Sequence, residues 1–177
     1  MKSNIQTQKS TIKMKIQLFV AIILSTFSFL ACDKESQVQK QDTLDGTVIK
    51  YGTAFGMCLG PCKKEITLVN DEAAFTVYQN GGRGTNGGDP VTYTEKLTTD
   101  YITSVLNNVD FERFKKLEET LGCPDCADGG SEWIEITKND TKHKVTFEFG
   151  QDVPEVAALL ELLREKRVYF EGKYVKE

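Results

Sequence analysis

Cysteines are the residues of this 177-residue chain best suited to chemistry, and four of the five form two close pairs. Cys58-x3-Cys62 and Cys123-x2-Cys126 are separated by residues 63–122. Such pairs admit three chemistries. Oxidised, they are structural disulfides, and four cysteines allow three pairings that sequence does not choose among. Bridges across the pairs would close ~60-residue loops and stabilise by roughly 3–4 kcal/mol each on the chain-entropy model, local bridges by much less. As thiolates, two short knuckles can supply a tetrahedral zinc site, although this separation exceeds the usual knuckle spacing. As a redox pair, one thiolate attacks and its neighbour resolves. That chemistry wants the attacking sulfur at a helix N-terminus, whereas Cys123 is expected to follow a helix C-terminus and Cys62 to precede a strand.

Other chemistry-bearing residues are less organised. His143, the only histidine, lies among Asp140, Thr141, Lys142 and Lys144 and reads as a solvated strand residue. Asp125, Asp128 and Glu132 lack the alternating spacing of a calcium loop. Gly82-Arg83-Gly84-Thr85-Asn86-Gly87 spells a phosphate-loop pattern, but Asp89-Pro90 and a strand follow where a helix would have to open. It reads as a flexible loop. Tyr51, Phe55, Met57 and Trp133 are the candidates for a binding patch, with core packing the default explanation for each. No cofactor is expected from these residues, and no nucleophile, base and oxyanion set converges in the sequence. A non-enzymatic protein is the expectation.

Met14–Cys32 decides among the cysteine chemistries. Lysines at 9, 13 and 15 precede a sixteen-residue run, Ile16 to Ala31, interrupted only by Gln17, Ser25, Thr26 and Ser28. A cationic start, a short apolar run and a small residue before the cut mark a secretory signal; the run is too short for a spanning helix of ~20 residues. Phe29-Leu30-Ala31-Cys32 resembles the lipobox of bacterial lipoproteins, with Phe29 where that pattern usually has Leu. The resemblance implies cleavage before Cys32, a diacylglycerol thioether on its sulfur, acylation (palmitate-type) of its amino group, and membrane attachment through those chains. Export to an oxidising compartment favours disulfides at Cys58, Cys62, Cys123 and Cys126. Thiol redox or zinc chemistry at the same four residues is the alternative.

Cleavage leaves 146 residues with 18 basic and 26 acidic side chains, net −8, which argues against nucleic acid as a partner. The expected organisation is a signal (1–31), a lipidated polar tether (32–43) and one domain (44–177). Strands are expected at Thr47–Tyr51, Glu65–Asn70, Ala74–Gln79 and Val91–Lys96, where apolar and polar residues alternate. A helix over Thr99–Val109 is followed by a second opened by Asp110 and ended by Gly122, with Phe111, Phe114, Leu117 and Leu121 as its stripe. Trp133–Lys138 and Lys144–Phe149 form a hairpin. Asp152 and Pro154 open a last helix to about Arg167, and Val168–Val175 suggests a short edge strand. The sum is an α+β domain, an antiparallel sheet of about five to seven strands with three helices mainly on one face.

Gly56, Cys58, Gly60 and Cys62 also match the Gly-x-Cys-x-Gly-x-Cys loop of uncharacterised short Bacteroidetes lipoproteins, which the chain resembles loosely over residues 47–167. The resemblance implies fold and envelope location but no reaction. Asp33 after Cys32 fits an inner-membrane retention rule, while Asp33-Lys34-Glu35 is similar to Bacteroidetes surface-export signals. The outer membrane is the expected site, with its face undecided and the protein or small-molecule partner unknown.

Overall fold

Alternating apolar and polar residues build a sheet with one face to cover, and helices from the second half of the chain supply the cover. The computed structural model describes residues 43, 44, 46–80 and 87–175. Residues 1–42, with Cys32 and the signal-like stretch, lie outside them, as does the 81–86 segment of the glycine-rich loop.

Seven strands form one sheet: β1 (Thr47–Ala54), β2 (Gly60–Val69), β3 (Glu72–Asn80), β4 (Val91–Lys96), β5 (Thr120–Leu121), β6 (Ser131–Lys138) and β7 (Thr141–Glu148). Their spatial order is β4-β3-β2-β1-β6-β7-β5. Every pairing is antiparallel except that of the two-residue β5 with β7. The helices are α1 (Thr99–Asn107), α2 (Phe111–Phe114) and α3 (Ala157–Tyr174). The fold is therefore α+β, with β1 central and bonded to both β2 and β6.

Local chemistry explains the joints. Asn139 and Asp140 adopt φ of 50° and 62°, the left-handed backbone of a two-residue turn that matches the right-handed twist of paired strands, closing Lys138 against Thr141. Thr98 caps α1 through its hydroxyl, which accepts the Tyr101 N–H, and Asp110 caps α2 by accepting the Arg113 N–H at 3.0 Å. Two helices differ from expectation. The one opened by Asp110 stops after a single turn, because the backbone beyond it turns to the edge of β7: Thr146 N–H donates to the Glu119 carbonyl at 2.9 Å. The last helix continues through the expected edge strand to Tyr174, since helical spacing puts Phe170 and Tyr174 onto the sheet at Phe75 and Tyr93.

One sheet face carries Ile49, Tyr51, Ile66, Leu68, Phe75, Ile134, Ile136, Val145 and Phe147, all at most 1 % exposed. Against them pack Ile102 and Val105 of α1, Phe114 of α2, and Leu159, Leu160, Leu163 and Phe170 of α3. Glu95 of β4 holds the far end of α3: its carboxylate accepts from Lys173 Nζ (2.7 Å), Tyr174 OH (2.6 Å) and Tyr169 OH (3.1 Å), and these bonds hold it below the usual carboxylate range.

The opposite face is built differently. Lys50 and Lys142 sit near Glu135, and Thr76 bonds Thr92 through their hydroxyls at 2.9 Å. Trp133, the only tryptophan, belongs to this face yet is 6 % exposed, because Lys63 and Lys144 lie over its ring at 5.6 and 5.0 Å. Its cross-strand partner Gly52 makes room for it: a Cβ there would overlap the indole carbons. Gly52→Ala should therefore destabilise the domain by about 1–3 kcal/mol and shift Trp133 fluorescence. A variant with the wild-type denaturation midpoint and emission would show that the indole is not wedged against β1.

Candidate functional site

Antiparallel register gathers four strand ends at one end of the sheet. Ala54 at the end of β1 pairs with Lys63 and with Ser131, and Ser131 pairs with Glu148 at the end of β7. The loops carrying both cysteine pairs therefore emerge side by side, residues 55–59 from β1 and 122–130 ahead of β6.

Of the three possible pairings the structure has the local one. Cys58 and Cys62 lie at disulfide distance with Cα atoms 5.6 Å apart, as do Cys123 and Cys126 at 5.5 Å. Cys62 sits in a bulge where Pro61 and Cys62 of β2 stand against Gln79 of β3, and it is 5 % exposed. Cys58 is half-buried, and Cys123 and Cys126 are both exposed. Cys123 does not follow a helix C-terminus as expected. It follows β5 and Gly122, and Cys126 opens only a three-residue 3₁₀ turn, Cys126–Asp128.

A carboxylate joins the two loops. Asp125 Oδ1 accepts the N–H of Gly56 (3.3 Å) and of Gly130 (3.2 Å), while the Asp125 N–H donates to the Gly130 carbonyl (3.0 Å). Phe55 N–H donates to the Cys62 carbonyl at 3.1 Å, and Cys123 N–H to Glu148 Oε1 at 2.9 Å. Gly130, at φ 83°, lets the Phe55 ring press onto its Cα, where a Cβ would clash, and that ring meets Phe149 at 4.9 Å. Beyond this packed base, Met57 and Leu59 stand 79 % and 77 % exposed.

The other sequence candidates separate. Of the four patch candidates only Met57 is open to solvent; Tyr51 and Trp133 are buried and Phe55 is half-buried. Leu59 had no signal of its own, since a leucine between two cysteines reads as core. His143 is not a solvated strand residue: it is half-buried, edge-on to Phe114 at 5.4 Å, with Nε2 3.0 Å from the Leu117 carbonyl to which it donates. It fastens the α2 turn to β7. Glu132 is 1 % exposed and bonded to Arg164, and Asp125 is engaged by the two glycines. Among the described residues no group of three or more His, Cys, Asp or Glu side chains could hold a metal ion. A concavity of about 960 Å³ lies elsewhere, along α3 between Val153, Leu160, Val168 and Tyr169. Its arginine, Arg164, already bonds Glu132, and no cysteine lines it.

Asp125→Ala removes the acceptor of two N–H groups, one of them on buried Gly130, and should cost about 1–3 kcal/mol. Asp125→Asn keeps a carbonyl oxygen in place and tolerates the φ of 60° found there, so it should lie close to wild type. Equal denaturation midpoints for the two variants would show that the Asp125 bridge contributes nothing. No protein-family model matches the chain, and no curated protein matches it.

Proposed function

We propose that this is a lipid-anchored protein of the bacterial cell envelope, attached through acyl chains on Cys32, whose folded domain is a non-enzymatic module that binds a protein partner. The observation that carries the reading is the separation of the domain's two ends. The chain joins the core at Leu44, 1 % exposed, whose N–H donates to the carbonyl of Asn70 in the β2–β3 turn. From there β1 runs its eight residues, about 26 Å at the usual strand rise, to the loops that bear Met57 and Leu59. Cys32 precedes Leu44 by 12 positions, a reach of at most about 40 Å. The apolar loop tip thus lies at the end of β1 opposite to the one where the chain enters the domain at Leu44. Exposed apolar side chains on a braced loop suit a protein contact, in which rigid apolar anchors contribute most of the affinity.

The lipobox-like Phe29-Leu30-Ala31-Cys32 supports the anchor, and the short Bacteroidetes lipoproteins that the chain resembles support the outer membrane. No helix among the described residues is long and apolar enough to cross a membrane.

Two experiments test the two halves. Cells fed an alkyne-tagged fatty acid should label the wild-type protein and leave Cys32→Ser unlabelled; label on the variant, or none on wild type, overturns the anchor. For the tip, a photo-reactive benzophenone side chain in place of Leu59 should give one discrete protein adduct in intact cells. The same group in place of Val91, exposed on β4, should give none. Equal adducts from both positions, or none from position 59, would sink the docking role.

A further inference from the structure

The two disulfides differ in exposure and in the backbone around them. Cys62 is buried in the β2 bulge, and the Cys58–Cys62 ring closes on a strand paired along both sides. An attacking thiolate must line up with the sulfur it attacks; burial denies that approach at Cys62, and Cys58 is half-buried. Cys123 and Cys126 are both open to solvent, in a loop with little regular structure.

Backbone conformation separates them further. Asp125, inside the second ring, and Ala127 and Asp128, just after it, have φ of 60°, 52° and 58°. Left-handed backbone is uncommon in residues with a Cβ, and an alanine has no side-chain hydrogen bond to compensate for it. Three such residues among four persist only where their surroundings dictate them. The ring closure does so here, together with the bonds from Cys126 N–H to the Cys123 carbonyl and from Gly129 N–H to the Cys126 carbonyl, both 3.1 Å. What the ring positions is Asp125, and what Asp125 holds is the neighbouring loop, through Gly56 N–H.

We infer that the Cys123–Cys126 bond is a thiol–disulfide exchange site for a dithiol partner, and that its state sets the β1–β2 loop through Asp125, while Cys58–Cys62 is a permanent staple. A thiolate of the partner attacks the exposed sulfur of Cys123 or Cys126. The intramolecular S–S bond breaks, a mixed disulfide forms, and the displaced sulfur takes a proton. The partner's second thiolate then attacks the partner's own sulfur in the mixed disulfide; the bond to the cysteine breaks, the partner's disulfide forms, and the released cysteine sulfur takes the second proton. Two electrons and two protons pass from the partner dithiol to the pair. Carboxylates lie on and around the ring, Asp125 within it, Asp128 just after it and Glu148 bonded to Cys123 N–H. With the ring open, residues 125–128 are free to leave the left-handed region, Asp125 releases Gly56, and the Met57–Leu59 tip loses its brace. The biological meaning of that release rests on the docking role proposed above; the exchange does not.

The test uses the full chain in detergent with dithiothreitol as the dithiol, alkylation of freed thiols, and peptide mass spectrometry to assign them. Cys123 and Cys126 should be alkylated at least tenfold faster than Cys58 and Cys62. At the time point where only the first pair is open, amide hydrogen exchange over residues 55–60 should be accelerated several-fold. The Cys123→Ser/Cys126→Ser variant should show the same acceleration without reductant. Simultaneous opening of both pairs, earlier opening of Cys58–Cys62, or resistance of both overturns the exchange site. Selective opening with unchanged exchange at residues 55–60 overturns the coupling through Asp125. Loss of the Leu59 photo-adduct alone bears on the docking role and leaves the exchange site standing.

Discussion

A buried carboxylate sets the position of the covering helix. Glu132 lies on the helix-covered face of β6 at 1 % exposure, where an unpaired charge would cost several kcal/mol. Arg164 of α3 meets it with Nε at 3.0 Å and Nη2 at 2.7 Å, and Nη2 also donates to the Gln151 carbonyl at 2.8 Å. The guanidinium thereby ties β6, the β7–α3 connection and α3 together. Sliding α3 by one turn would leave Glu132 without a partner, so apolar packing alone does not choose the helix position. From Arg164 the next turns follow in register: Arg167 reaches Glu171 at 2.9 Å, Glu171 reaches Lys64 at 2.9 Å, and Phe170 stacks on Phe75 at 5.2 Å. Tyr51 lies under this row. Burial first, and the charge of Glu132 second, push its hydroxyl up to about 12, so it stays neutral beneath the helix. Its oxygen and Arg167 Nε are both buried without a bond of good geometry, and each perturbs the other electrostatically.

The sheet was legible because period-two alternation is a local signal. Val145, Phe147 and Phe149 alternate with polar residues, and the first two are fully buried while Phe149 is 39 % exposed; Val156, Leu159, Leu160 and Leu163 keep helical spacing and line the core. Failures came where a distant partner outweighed local preference. Phe111, Phe114, Leu117 and Leu121 keep helical spacing, yet the backbone after Phe114 goes instead to β7, through the Glu119 carbonyl and the His143 bond to Leu117. Val168, Tyr169 and Val175 raise strand preference at the chain's end. The helix continues nonetheless, since Phe170 and Tyr174 find aromatic partners only at helical spacing. Neither competing contact is visible within a window of ten residues.

The candidate site was legible as composition and not as geometry. Two cysteine pairs in Gly/Pro loops marked the right residues, but the choice of local pairing depends on which strand ends the register brings together. The Asp125 bridge depends on left-handed backbone at a residue with a Cβ, for which sequence carries only the weak preference of Asp for that region. His143 was misread for a related reason. Its charged neighbours in sequence point it toward water, whereas its neighbours in space are an aromatic ring and a carbonyl.

The two ends of the sheet differ in what they can carry. At the Leu44 end the β2–β3 and β6–β7 connections are two-residue turns, closing Val69 on Glu72 and Lys138 on Thr141, too short to present side chains to a partner. The other end holds the long connections, and long loops positioned by a rigid sheet are where binding residues concentrate. Rings of four or five residues remove little chain entropy, about 2 kcal/mol each on the chain-entropy model, against a core that spans all three helices. Cross-pairing would have stabilised the unfolded-to-folded balance more. Local pairing instead restricts loop shape, which matters at the surface proposed to meet a partner. The cysteines therefore act on how Met57 and Leu59 are displayed more than on whether the domain folds.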